Sequence, residues 1–156
     1  TGLGQDCAFE LGGKCFTAPF TPTPLTSAEC EAEKDKLGIK GCCFYNDGSY
    51  CENDYWAGAV KQCGGVSKMP TADDLAKLAT ELYGVQVGAK QNIFNTITID
   101  ISKVSSMGFT FNSMLDVWSG EEMQSCGGYR IFGPWHTAWS DGFRAARDVQ
   151  AVCIGD

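Results

Sequence analysis

Histidine, cationic side chains and long apolar runs are all scarce in this 156-residue sequence. The one histidine, His136, excludes a His-rich metal site and is the single residue around which a Ser-His-Asp triad would have to form. A lone histidine in a loop is ordinarily a solvated side chain or a binding contact. Lys and Arg number 12 against 19 Asp and Glu, and the resulting charge of −7 repels phosphate backbones and anionic lipid surfaces. Nucleic acid is therefore not an expected partner. No apolar stretch approaches the roughly twenty residues that span a bilayer. The opening residues, TGLGQDC, carry neither an initiating Met nor a signal peptide. The expectation is a mature or trimmed ectodomain without a transmembrane segment, with room for an anchor or pilus assembly through a missing N-terminus.

Cysteine, in contrast, is abundant. Nine in a chain of this size exceed what a reducing cytosol holds without metal, and the paired C-x-x-C spacing of a zinc site is missing. An oxidising location follows, extracellular or at a cell surface. Cys7, Cys15, Cys30, Cys42, Cys43 and Cys51 fall in the first third, in a region poor in large aliphatics. A segment of about fifty residues that cannot bury a sufficient core is commonly held by disulfides. Residues 1–52 are thus expected to form a disulfide-rich N-terminal lobe, and residues 53–156 to hold the main core that this length allows. In the lobe, Thr26-Ser27-Ala28-Glu29 has the spacing of a capping box and predicts a helix from Ser27 to Leu37, stopped by Gly38. Asn46-Asp47-Gly48 predicts a hairpin turn. The order Cys7, Cys15, Thr26-x-x-x-Cys30, Gly41-Cys42-Cys43-Phe44, Cys51 resembles the six-cysteine pattern of trefoil domains. That resemblance implies the pairs Cys7–Cys43, Cys15–Cys42 and Cys30–Cys51. The sequence departs from it in a long insertion between Cys30 and Cys42 and in lacking Pro-Trp before the last cysteine. Six cysteines allow fifteen pairings and the spacing itself selects none, so an unrelated stapled cap is the alternative.

From Asp54 the pattern changes. Trp56, Ala59, Val60 and Cys63 stand at i, i+3, i+4 and i+7, one face of a helix ended by Gly64-Gly65. Thr71 then caps a second helix, with Asp73 and Asp74 in its first turn and Leu75, Leu78, Ala79 and Leu82 on one face up to Gly84. The alternation of Ile97, Ile99 and Ile101 predicts a half-buried strand over Thr96 to Ile101. Strand character returns at Leu115 to Trp118 and at Gln150 to Ile154. Between these last two, glycines, aromatics and arginines follow no clear period and read as loop. Helices followed by strands with irregular connections indicate an α+β class.

Four motifs in order carry a second resemblance: Tyr55-Trp56-Ala57-x-Ala59-Val60-x-x-Cys63, Met69-Pro70-Thr71-x-x-x-Leu75, Trp118-Ser119-Gly120-Glu121 and Gln150-Ala151-Val152-Cys153. Over residues 54–156 the chain resembles the bacterial branch of the C-type lectin fold, which includes formylglycine-generating-enzyme-like domains and the variable proteins of diversity-generating retroelements. The resemblance implies a C-type lectin-like domain preceded by the small disulfide-rich lobe, with Cys63 bonded to Cys153 and Cys126 left without a partner. It also implies a C-terminal region diversified at adenines, in which Trp, Met, Gln, Lys and Glu do not arise. Between Met123 and Asp148, only Met123, Gln124, Trp135 and Trp139 lie outside the permitted set, and no Asn follows Asn112. On this reading Trp118, Trp135 and Trp139 are framework, while Cys126, Tyr129, Arg130, Phe132, His136, Asp141, Phe143 and Arg144 bind ligand. Tyr, Phe and Arg supply contact area and charge-assisted hydrogen bonds.

Catalytic readings have less in their favour. Glu121 and Glu122 are adjacent rather than facing, which suits a strand end better than acid–base chemistry. The copper site implied by the formylglycine-generating relatives would need Cys126 and Cys153 with Cys63 free. Trp139-Ser140-Asp141 resembles the Trp-Asn-Asp of animal C-type lectins, but Glu-Pro-Asn and Gln-Pro-Asp are missing, so calcium is not expected. The expectation is a non-enzymatic, surface-displayed binding protein without metal or cofactor, on a bacterium or its virus, taking a protein ligand on a broad aromatic surface. The alternatives are a fixed pilus-like or adhesin subunit and a formylglycine-generating-like copper oxidase.

Overall fold

The computed structural model describes residues 7–43, 49, 51–93, 100–109, 116–122, 127–132, 138–147 and 149–155, with residues 127–132, 138 and 140–142 described by their backbone alone. Strands β1 (Phe9–Leu11) and β2 (Lys14–Phe16) form a hairpin around Gly12-Gly13, whose φ angles are 60° and 81°. Positive φ at both central residues is the turn whose twist suits paired strands, and glycine adopts it without a Cβ clash. Helices α1 (Ser27–Leu37), α2 (Tyr55–Cys63) and α3 (Ala72–Tyr83) follow. Each is opened by a side-chain cap, Thr26, Asp54 or Thr71, and closed by a left-handed glycine, Gly38, Gly64 or Gly84. The Thr26 and Thr71 caps and all three glycine stops coincide with the sequence signals, while the Asp54 cap adds a start to a helix expected from its apolar face alone.

The isoleucine strand is a correction at its last residue. Asp100 accepts a hydrogen bond from the Lys103 amide at 3.2 Å and opens α4 (Ile101–Ser106), which leaves Ile101 57% exposed. The Asp100 cap, which satisfies the Lys103 amide, starts a helical turn that overrides the short alternation running into it. Residues 96–99 lie outside the described residues, as do Asn46-Asp47-Gly48.

Strands β3 (Asp116–Glu122), β4 (Gly127–Phe132) and β5 (Ala138–Phe143) form an antiparallel sheet in that order. Much of the stretch expected as loop is therefore a β-ribbon. Its ladder of backbone hydrogen bonds does not require apolar alternation, and Gly127, Gly128 and Gly142 obscure the period. The expected strand at Gln150 to Ile154 is realised as bridges at Gln150 and Ala151, followed by β6 (Ile154–Gly155), which pairs with β2.

The segment 149–155 links the two sheets. On one side the Thr17 amide donates to the Cys153 carbonyl (3.0 Å), and Phe20 and Ala151 exchange two bonds of 2.9 Å. On the other the Trp118 amide donates to the Gln150 carbonyl (3.0 Å) and the Gln150 amide to Asp116 (2.9 Å). Side chains alternate across this centre as strand geometry requires. Val117, Val152 and Ile154 join Leu75, Leu78, Leu82 and Val104 in one core, while Trp118, Ala151 and Cys153 join Trp56, Ala59 and Val60 in a second. The strands are thus covered by α3 on one face and α2 on the other, an α+β arrangement. Residue 52 does not divide this interior. Phe16 belongs to the α3 core, and Leu25, Cys30, Leu37, Ile39 and Cys42 belong to the α2 core.

Four disulfides are present: Cys7–Cys15, Cys30–Cys42, Cys43–Cys51 and Cys63–Cys153. The last ties α2 to the C-terminal segment across 90 residues, as expected. By chain entropy it stabilises the fold by about 4–5 kcal/mol. The lobe cysteines do not take the trefoil order Cys7–Cys43, Cys15–Cys42, Cys30–Cys51. The β1–β2 hairpin folds Cys7 back to Cys15, and the Ile39 amide, bonded to the Lys34 carbonyl at 2.8 Å, turns the chain after α1 so that Cys42 reaches Cys30.

Candidate ligand-binding face

Directly opposed residues of an antiparallel ladder share a face, and alternate residues repeat it. One row contains Val117, Ile131 and Trp139 and continues through the pairs Tyr129–Asp141 and Gly127–Phe143. The other contains Trp118, Arg130 and Ser140, then Asp116, Phe132 and Ala138. The expected ligand residues therefore divide, with Tyr129, Asp141 and Phe143 on the first row and Arg130 and Phe132 on the second. Phe143 is 41% exposed. Cys126 and His136 lie outside the described residues, as does the framework candidate Trp135.

The other two framework tryptophans are fixed in the interior. Trp139 is buried, its amide donating to Asn92 Oδ1 (2.8 Å) and its indole Nε1 to the Gln91 carbonyl (3.0 Å). Gln91 in turn closes the 88–91 turn, exchanging bonds of 3.1 Å with the Gly88 amide and carbonyl. Trp118 is fully buried in the α2 core beside Trp56, whose indole donates to the Ser119 carbonyl at 2.8 Å.

Arg144 is a correction. Expected as an exposed contact, it is fully buried and organises the junction of four chain segments. Its Nε lies 3.1 Å from Asp54 Oδ1, one terminal nitrogen 2.7 Å from Asp54 Oδ2 and 3.0 Å from the Gly41 carbonyl, and the other 3.2 Å from Glu122 Oε2. Its guanidinium stacks over the Trp56 ring at 4.6 Å, and its carbonyl accepts from the Tyr55 amide at 2.8 Å. The carboxylates are themselves saturated. Asp54 caps α2 through the Ala57 amide (2.9 Å) and accepts from the Cys43 amide (3.1 Å), while Glu122 accepts from the Lys40 and Gly41 amides (2.7 and 3.0 Å). A planar five-donor fork meets two carboxylates and a carbonyl at once, which is why arginine can be buried here. Glu122 was legible as a strand-end residue, whereas the Asp54 cap was not singled out by the spacing. That both converge on Arg144 had no local signal.

Two other buried polar groups shape the electrostatics. Burial pushes the Asp74 carboxyl up, but the Thr71 amide, the Lys14 ammonium (3.1 Å) and the Thr71 hydroxyl together hold it below the usual carboxylate value. The Tyr83 phenol is raised, first by burial and then by nearby Asp116. Among the described residues no group of three or more His, Cys, Asp or Glu is gathered to hold a metal ion. Cys153 is committed to Cys63, so the Cys126–Cys153 pair needed for the copper site is not formed. No described helix is long and apolar enough to cross a membrane. Comparison with protein-family models, curated proteins and solved structures finds no match to this chain.

Proposed function

We propose that this chain is a non-enzymatic ligand-binding protein of the cell surface or extracellular space, a C-type lectin-like domain of the retroelement variable-protein type whose contact region lies within residues 123–148. The observation that carries this reading is the way the two ends of the fold are tied. The C-terminal segment pairs antiparallel with residues 15–20, and Cys63 of the helix that caps it bonds Cys153 on that segment. In many C-type lectin-like domains the same bond joins the first helix to the last strand. The ribbon β3–β4–β5 stands on this frame, with its tryptophans buried and Phe143 in solvent. A frame ordered before binding loses less entropy when a ligand docks.

Burial of Arg144 removes it from the contact set. The row of Tyr129, Asp141 and Phe143, which continues past the buried Trp139, is then the leading contact, with Arg130, Phe132, Cys126 and His136 as further candidates. A protein ligand suits an aromatic ribbon better than a small molecule does. Deep sequencing of the 3′ end of this gene across its natural population tests the proposal. Substitutions confined to adenine positions of codons 123–148, sparing Trp118, Trp139, Arg144 and Cys153, would support a diversified binding protein. A uniform sequence, or changes spread evenly over the gene, would sink it and favour a fixed pilus-like or adhesin subunit.

A further inference from the structure

At the edge of the α3 core, a cleft of about 670 Å³ lies between the β1–β2 turn, the helix and residues 86–89. Its helical wall is Asp73, Ala76, Lys77 and Thr80, one stripe at i, i+3, i+4 and i+7. Leu11 supplies the partly exposed apolar surface, and the buried Ala76 and Val87, which belong to the α3 core, underlie the floor. The opposite wall is held in place, because Thr80 Oγ1 donates to the Ala76 carbonyl (2.8 Å) and accepts from the Val87 amide (3.0 Å).

The charges of α3 single out this stripe. Asp74 is paired with Lys14 at 3.1 Å and Glu81 with Lys103 at 2.6 Å. Asp73 and Lys77 line the cleft and make no ion pair among the described residues, although an acid four residues before a lysine is the favoured helical arrangement. The reason lies in Lys77, which runs across Gly12. Its Cδ, Nζ and Cε fall 2.8, 2.9 and 3.2 Å from where a Cβ on Gly12 would stand, so the ammonium is drawn toward the hairpin turn. Gly12, already at φ 60°, is the residue that leaves this path open.

We propose that this cleft binds a small zwitterion of dipeptide size, its ammonium at Asp73 and its carboxylate at Lys77. The Lys77 ammonium is held off the helix by the Gly12 turn, and the two anchors stand four positions apart on the helix, a rise of about 6 Å between their Cα atoms. That exceeds the separation of the two charges on one α-carbon and suits the termini of two extended residues, which span at most about 7 Å. Leu11, half-buried at the turn, then meets the ligand's side chains.

The test is a titration of the whole chain with L-alanyl-L-alanine, followed by amide chemical shifts. Saturable shifts at Ala76, Lys77, Gly88 and Ala89 are expected, with none from the dipeptide blocked at both ends. Asp73→Asn and Lys77→Met should each weaken binding by roughly tenfold while leaving the remaining spectrum unchanged. Absence of saturable shifts at high millimolar dipeptide, or equal shifts from the blocked form, would overturn the proposal. Neither outcome bears on the ribbon's proposed ligand.

Discussion

Replacing Arg144 with Met tests whether the buried guanidinium holds the fold together. The substitution keeps much of the aliphatic volume against Trp56 but removes five donors and the positive charge. Asp54 and Glu122, which are 2% and 11% exposed at the side chain, then face each other's charge without compensation. Breaking a buried pair by deleting one partner costs about 3–5 kcal/mol. Loss of the cation over Trp56 adds roughly 0.5–2 kcal/mol. The four backbone amides that still reach the two carboxylates act in the opposite sense, so about 3–5 kcal/mol is the expected net loss. For a chain of this size that corresponds to a fall in Tm of about 6–20 °C. Urea denaturation with disulfides intact measures it, reading the midpoint at unchanged slope. Arg144→Lys should recover part of the loss, since it restores charge but not the fork. A Met variant within 1 kcal/mol of the parent would refute the assignment of Arg144 as a structural centre.

Four further outcomes are expected. A Cβ on Gly58 would stand 1.9 Å from the Thr23 carbonyl oxygen, so Gly58→Ala should destabilise by about 1–3 kcal/mol in the same assay even though alanine favours helix. Peptide mapping without reduction should recover the linkages Cys7–Cys15, Cys30–Cys42, Cys43–Cys51 and Cys63–Cys153, and thiol titration of the denatured chain should give one free cysteine, since four bonds use eight of nine. Removing the last bond as Cys63→Ser with Cys153→Ser should cost about 4–5 kcal/mol. Asp74 has a lowered folded pKa, so its stabilisation is present at neutral pH and is lost as pH falls through that lowered value. In Lys14→Met the effect of burial is less opposed, and a plot of urea midpoint against pH should show the acid loss setting in at higher pH.

Helices α1 and α3 were legible because each carries its own start and stop, Thr26 with Glu29 and Gly38, and Thr71 with Asp74 and Gly84, and α2 because its apolar face ends at Gly64, whereas α4 has neither an apolar face nor a glycine at its C-cap. All of that information lies within about a dozen residues of chain. The ribbon was not legible, because β4 and β5 are defined by pairing with each other and with β3, and their glycines interrupt any alternation. The lobe's disulfide order depends on the Gly12-Gly13 turn and on the reversal after α1, neither of which a cysteine count records. Arg144 shows the same limit in electrostatic form. Its partners Asp54 and Glu122 lie 90 and 22 residues away, and beside aromatic neighbours it has the composition of a binding loop. Trp118 and Trp139 are framework candidates on resemblance alone, and their burial follows from facing opposite cores from β3 and β5, the two outer strands of the ribbon.

Among the described residues of 123–148, the boundary between buried and exposed side chains passes between neighbours. Phe143 is 41% exposed, whereas Arg144, the next residue, is fully buried and ion-paired, and Trp139 is buried with both nitrogens engaged. A display library randomised at positions 139, 143 and 144, sorted for folded protein with a conformation-specific antibody, should accept many side chains at 143. It should return Arg at 144 and Trp at 139. The energetic gap supports this separation, because an exposed substitution shifts stability by about 0.5 kcal/mol or less and an orphaned buried ion pair by several. Free substitution at 144 with 143 restricted would mean that the chain leaves β5 in the opposite sense and that Arg144 faces solvent after all. Equal tolerance at all three would mean that the ribbon contributes nothing to the core, which contradicts the burial of Trp139 against α3.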